Sequence, residues 1–301
     1  MTVSPRAPDP DDDALGDALP RPPPLEDIAT TGVWIVQWRD GRGPQPGTAL
    51  HRWLEDRHPG WARLVDCRGR TDVVSAIKAA SWFARDARAS PILHLDADCD
   101  PDGLAGPERD GGRGRAGWDA LAPHLARLNL ATRGNLLLVC AAGDGVAARL
   151  AAATGDRSPC VAVIAPASAR PPPPAPWLIA TRRLYHSWRQ GQPGLAEASA
   201  PLAPVAMQAQ SMPEQLHARL RSALLAATGP GRRAAPGGPA ALMAALGADA
   251  DPDLPWAAVP RRLQRYWRAL FMADLHPGNL RRFDIDLKSA AWRILQARGL
   301  A

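Results

Sequence analysis

From Gly32 onward, short apolar runs alternate with longer stretches in which apolar residues recur every three or four positions. The runs at residues 33–38, 62–67, 92–96, 136–142 and 160–164 are apolar nearly throughout. Continuous runs of this length suit strands covered on both faces, because a half-exposed strand alternates apolar and polar residues instead. Between them, Val73, Ile77 and Ala80 fall on one helical face, with Thr71 placed to cap that helix. Trp118, Leu121, Leu125 and Leu128 form the face of another. Strands alternating with helix-length connections predict a mostly parallel sheet between two layers of helices, a three-layer α/β/α domain.

The pattern changes further along. Prolines at each position of 171–174 break the chain, and a helix through Trp177, Leu184 and Trp188 is expected to return to the sheet. Residues 229–255, rich in Gly, Pro and Ala, read as a loop around at most one short helix. Beyond it, Leu263, Trp267 and Leu270 make an apolar stripe while Arg261, Arg265 and Arg268 line another face, and a last helix is expected around Ile294 and Leu295. This places an α/β domain over residues 31–205 and a helical carboxy-terminal region over 206–301. Residues 1–24 hold seven prolines, the run Asp11, Asp12, Asp13 and almost no large apolar side chains, so residues 1–30 are predicted to be a disordered tail.

The chain has 301 residues, 46% hydrophobic and 22% charged, which is enough apolar material for a real core. No apolar run reaches the roughly 18 to 20 residues of a membrane-spanning helix, and the amino terminus is Pro/Asp-rich rather than basic and then apolar. A cytoplasmic protein is expected. Cys67, Cys99, Cys140 and Cys160 lack metal-site spacing and read as free thiols. The net charge is +6, but only Lys78 and Lys288 of the 36 basic residues are lysine, an arginine bias that coding composition explains as well as nucleic-acid binding does. Charge is uneven: residues 1–30 hold two Arg against seven acids, and residues 256–301 hold nine basic against three acidic residues. The basic stretch reads as a solvated helical face, so neither nucleic acid nor membrane is expected as a partner.

Ligands of a parallel α/β sheet bind beyond the carboxyl ends of its strands, so the residues following each run carry the candidate chemistry. One run reads His94-Leu95-Asp96-Ala97-Asp98-Cys99 and leads to Gly103, and another begins Asn135-Leu136-Leu137-Leu138 and ends Ala142-Gly143-Asp144-Gly145. The helix between them opens Gly117-Trp118-Asp119, continues Leu121-Ala122 and closes Leu128-Asn129. Farther on stand Phe271-Met272-Ala273-Asp274-Leu275-His276-Pro277-Gly278-Asn279 and then Arg282-Phe283. In this order the motifs resemble those of the caspase-like cysteine peptidases, more closely a bacterial branch related to the CHAT peptidases, over residues 34–283. Members carry one strand ending His-x-Glu-Ala-His-Gly and another ending Ala-Cys-x-Gly, which supply a His and Cys dyad. The resemblance implies a caspase-like fold with a groove beside the sheet, and a setting in bacterial signalling or defence.

The departures fall on the dyad. Asp98 stands where the family has its catalytic His, and Gly143 stands where it has its nucleophilic Cys, with Cys99 and Asp144 as neighbours. Such a peptidase needs a thiolate beside an imidazole that serves first as base and then as acid, and neither substitute can fill these roles. The expectation is a catalytically degenerate pseudo-peptidase that binds a protein partner as scaffold or regulator, an active caspase-like relative being one such partner. Two rival readings fit the same residues. One is a residual cysteine peptidase using Cys99, or using Cys140 with His94, although the latter two lie three or four residues back inside their strands. The other is an enzyme in which Asp96, Asp98 and Asp100 hold a divalent cation. Asp98, Asp100 and Asp102 with Gly103 also spell the first half of a calcium loop, yet the twelfth position is Arg109 and Pro101 and Pro107 interrupt, so no metal is expected. Gly143-Asp144-Gly145 lacks both the dinucleotide spacing and a phosphate-loop Lys, so no cofactor is expected.

Overall fold

Strands buried on both faces must find neighbours on both edges and helices above and below. The computed structural model shows this arrangement; it describes residues 18–300 apart from 27, 101, 142–144, 168–172, 192–194 and 229–237, and not the side chains at 99, 100, 198 and 201. In chain order come β1 (Gly32–Trp38), α1 (Pro46–Arg57), β2 (Ala62–Asp66), α2 (Arg70–Asp86) and β3 (Pro91–Asp100). A hairpin of β4 (Gly103–Pro107) and β5 (Arg113–Gly117) follows, then α3 (Trp118–Ala131), β6 (Leu137–Cys140), α4 (Val146–Ala152) and β7 (Ala162–Pro166). The unit closes with α5 (Pro174–Arg189), α6 (Leu195–Ser199) and β8 (Met207–Ser211).

The sheet order is β2-β1-β3-β6-β7-β8, parallel except for β8, which runs antiparallel to β7. Helices α1 and α5 pack together on one face, while α2 packs on α3 and α3 on α4. This is a three-layer α/β/α fold with Ile35, Leu93, Leu138 and Val163 buried at its centre. The hairpin is an outgrowth of β3: Asp98 pairs with Ala105, Cys99 with Leu104 and Asp100 with Gly103, and β4 then pairs with β5. The acidic stretch is therefore antiparallel strand and turn rather than a wrapped cation loop.

Two local expectations are corrected. Thr71 is not the cap of α2: the helix starts at Arg70 after Gly69, and Thr71 already lies inside it, its carbonyl accepting from the Ser75 hydroxyl. Strand β8 lies in the stretch expected to be helical; Met207–Ser211 offers no apolar run and is held by its ladder to β7.

The chain divides into two compact units, residues 24–215 with the sheet, and residues 216–301 with the described part of 1–23. The predicted tail falls partly on residues 1–17 and 27, outside the described residues. Of the rest, Leu19 and Leu25 are buried, Leu195 N donates to the Leu25 carbonyl, and Ala29 N donates to Asn135 Oδ1. Helix α7 (Met212–Thr228) crosses the unit boundary, and the second unit continues with α8 (Gly238–Ala245), α9 (Val259–Leu270), α10 (Gly278–Phe283) and α11 (Leu287–Ala297). The stripe read from sequence packs this unit: Trp267 Nε1 donates to the Phe283 carbonyl at 2.6 Å, and the Phe271 and Phe283 rings stack at 4.9 Å. Among the described residues no helix is long and apolar enough to cross a membrane.

Candidate functional site

The carboxyl ends of β1, β2 and β3 lie side by side, and their registers decide which side chains meet. Gln37 pairs with Asp96 across β1 and β3 and with Asp66 across β1 and β2. Side chains alternate faces along a strand, so His94, Asp96 and Asp98 share one face of β3. That face meets α1, whose Gly47 N donates to Asp96 Oδ2 at 2.6 Å. Gly47 is required here, because a Cβ would lie 2.8 Å from Gln37 Oε1 and 2.9 Å from Asp96 Oδ2. Gln37 Oε1 accepts from Thr48 N at 2.8 Å, and its Nε2 donates to Asp66 Oδ1 at 3.2 Å.

Asp96 is wholly buried, and a buried carboxylate needs a charged partner. Arg39, the residue immediately after β1, supplies it. Its Nε donates to Asp96 Oδ1 at 2.5 Å, its Nη1 to Asp98 Oδ1 at 2.8 Å and its Nη2 to the Ala97 carbonyl at 3.1 Å. Asp98, half-exposed, receives a second cation from the hairpin, Arg113 Nη2 to Oδ2 at 2.7 Å. A ladder of alternating charge thus rises from the core to the surface through Asp96, Arg39, Asp98 and Arg113. Each of the four carboxylate oxygens accepts an N–H, and the cation that Asp96 and Asp98 share is a guanidinium. A metal ion would have to displace two arginines to reach them. Asp102 stands farther out, 3.6 Å from Arg115 and 3.5 Å from Arg149, and the Asp100 side chain lies outside the described residues. Among the described residues no group of three His, Cys, Asp or Glu is placed to hold a metal.

The nucleophile question has a matching answer. Strands β3 and β6 are parallel neighbours, with His94 level with Val139 and Leu95 level with Cys140. His94 and Cys140 therefore face opposite sides of the sheet and form no dyad. His94 is fully buried, stacks on Trp177 and shares a 2.7 Å hydrogen bond between Nδ1 and the Tyr185 hydroxyl. Its Nε2 has no partner among the described residues, and burial lowers its pKa to about 4, so the ring is neutral. Burial pushes the Cys67 thiol up to about 12 and raises that of Cys160 further, so both stay protonated. Cys140 is buried as well. Asp98 lies three residues beyond Leu95, and Gly143 lies the same number beyond Cys140 in sequence. Gly143 and Asp144 fall outside the described residues, as does the Cys99 side chain.

Beside the ladder, an open pocket of about 680 Å³ lies past the end of β2, lined by Val65, Asp66, Arg68, Asp72, Ser75 and Arg109. Asp72 accepts from the Arg68 amide at 2.9 Å and from Arg109 Nη2 at 2.8 Å; the amide first and then the guanidinium hold its carboxyl below the usual range. Arg70 N donates to Glu108 Oε1 at 3.2 Å, tying the hairpin to the start of α2. The edge of the sheet thus presents fixed charges of both signs, suited to recognising a polar surface.

Sequence reasoning placed Asp96 and Asp98 at this edge and missed Arg39, Gln37, Gly47 and Arg113. The signal for Arg39 was present: a carboxylate inside an apolar run demands a cation, and Arg39 ends the neighbouring run. No protein-family model matches the chain, and none of the curated proteins matches it either.

Proposed function

We propose that the protein is a catalytically degenerate, caspase-like pseudo-peptidase that works by binding a protein partner at the carboxyl edge of its sheet. The observation that carries this reading is the charge ladder, in which Asp98, at the position of the family's catalytic His, is clamped between Arg39 and Arg113. A carboxylate held this way positions the hairpin and offers no acid for a leaving amine. Asp98 lies on β3 and Gly143 follows β6 in sequence, and the parallel adjacency of these two strands supports the same reading. The exposed Arg109 and Arg113 with the pocket at Asp66, Arg68 and Asp72 then form the contact surface. An intact caspase-like relative is the partner class to which the resemblance points, and the role is scaffold or regulator.

Two measurements test this. A fluorogenic peptide library incubated with the purified protein is expected to stay uncut; cleavage abolished by Cys140→Ala or Cys99→Ala overturns the reading. Binding to an intact caspase-like peptidase of the same organism is expected to weaken by roughly tenfold in Arg109→Glu/Arg113→Glu, since reversing charge on a contact surface costs of the order of 1.4 kcal/mol or more. Unchanged binding in that variant places the contact elsewhere and rejects this edge as the surface.

A further inference from the structure

The second unit carries a site independent of the sheet. Helices α9 and α11 pack against each other, and between them opens a pocket of about 530 Å³ lined by Pro260, Arg261, Lys288, Ser289, Trp292 and Arg293. Trp292 is 38% exposed and lines the pocket, so part of its indole is open to a ligand. Arg261, Lys288 and Arg293 are exposed and make no ion pair among the described residues. Asp286, which caps α11 by accepting from the Ser289 amide at 2.9 Å, is the nearby acid; it is drawn to Lys288 and Arg293 through space but forms no ion pair with either among the described residues. Arg265, one turn beyond Arg261 on α9, extends the positive track along the same face. The buried side of α9 explains why this face stays open: Leu263, Trp267 and Leu270 take up the apolar contacts, and Gln264 ties the helix to α11 through Lys288 N and the Ile285 carbonyl.

Three cations without a salt bridge among the described residues, set around one partly exposed aromatic ring, define the ligand chemistry, because phosphates satisfy the cations and a flat base satisfies the indole face. We propose that this groove binds single-stranded nucleic acid, with phosphates on Arg261, Lys288 and Arg293 and a base stacked on Trp292. A duplex keeps its bases stacked inside and has no face for Trp292. An anionic membrane takes apolar side chains that project outward, whereas this indole sits in a concavity between two helices.

Fluorescence anisotropy of the full chain with a labelled oligo-dT of about 12 nucleotides, at about 50 mM salt, is the direct test. Saturable binding is expected. Trp292→Ala should weaken it at least about fivefold, Trp292→Phe should restore most of the loss, and neither should alter the salt dependence. The triple variant Arg261→Gln/Lys288→Gln/Arg293→Gln should reduce the slope of log K against log salt by about 2, since each single-strand phosphate contact contributes about 0.7. These side chains are exposed, so unchanged circular dichroism and melting temperature confirm that the variants fold. Absence of binding overturns the proposal, as does binding that ignores both sets of variants. Mononucleotide binding as tight as the oligomer, or Trp292-dependent binding to phosphatidylserine vesicles that exceeds oligo-dT binding, overturns it in favour of those ligands.

Discussion

Arg39 decides the chemistry of the sheet's edge because one guanidinium satisfies a buried carboxylate and a half-exposed one together. Taking away one partner of a buried pair leaves an uncompensated charge, whereas replacing both with apolar groups costs much less. Arg39→Gln should therefore lower stability by about 3–5 kcal/mol, and Arg39→Leu/Asp96→Leu by clearly less than the sum of its single variants. Urea titrations of Arg39→Gln, the two Leu single variants and the Leu double variant measure this, and strict additivity in the Leu cycle would show that the pair is not coupled. His94 gives a pH signature on the same face. Its unfolded form takes up a proton near pH 6.5 but the folded form only near 4, so between these values the unfolded chain binds more protons. Stability from this group is thus complete above pH 6.5 and declines as pH falls toward 4. The wild type should lose on the order of 2 kcal/mol between about pH 7.5 and 5 that His94→Gln, which cannot titrate, does not lose.

The hairpin of β4 and β5 shows what a sequence of Gly and Arg conceals. Its strands, Gly103–Pro107 and Arg113–Gly117, have no apolar alternation, and are held by backbone pairing and by Trp38, whose Nε1 donates to the Pro107 carbonyl at 2.7 Å. Gly106 lies against that indole, where a Cβ would come within 2.6 Å of the ring. Gly106→Ala should cost about 1–3 kcal/mol by displacing Trp38 or the hairpin, read as a lower urea midpoint. Strands β1, β3, β6 and β7 were legible because burial on both faces writes a mostly apolar run, and the edge strand β2 was legible from its shorter apolar stretch at Leu64 and Val65. Strands β4, β5 and β8 were not, since their pairing is a backbone property of residues distant in sequence. The site divides in the same way: Asp96 and Asp98 could be placed at a strand end by position alone. Arg39 and Arg113 reach them only through the neighbour relations of β1 with β3 and of β5 with β4, which no local pattern encodes.

At the scale of the whole chain, the two ends of the sequence carry opposite net charge. Residues 1–17 hold five acids and one Arg, and residues 256–301 hold nine basic residues and three acids. An acidic segment covalently joined to a basic groove competes with any other polyanion for it, and the competition needs no fixed contact. Exposed charges attract weakly and are screened beyond about 8 Å at physiological salt, so the effect belongs to low ionic strength. Removing residues 1–17 should therefore tighten oligo-dT binding by a few-fold at about 50 mM salt and leave it unchanged at about 300 mM. Neutralising the five acids to Asn and Gln in the full-length chain should reproduce the gain, which separates charge from chain length. Equal affinities with and without the acids at low salt would show that the groove and the acidic segment act independently. A gain that persisted at high salt would point to steric rather than electrostatic shielding.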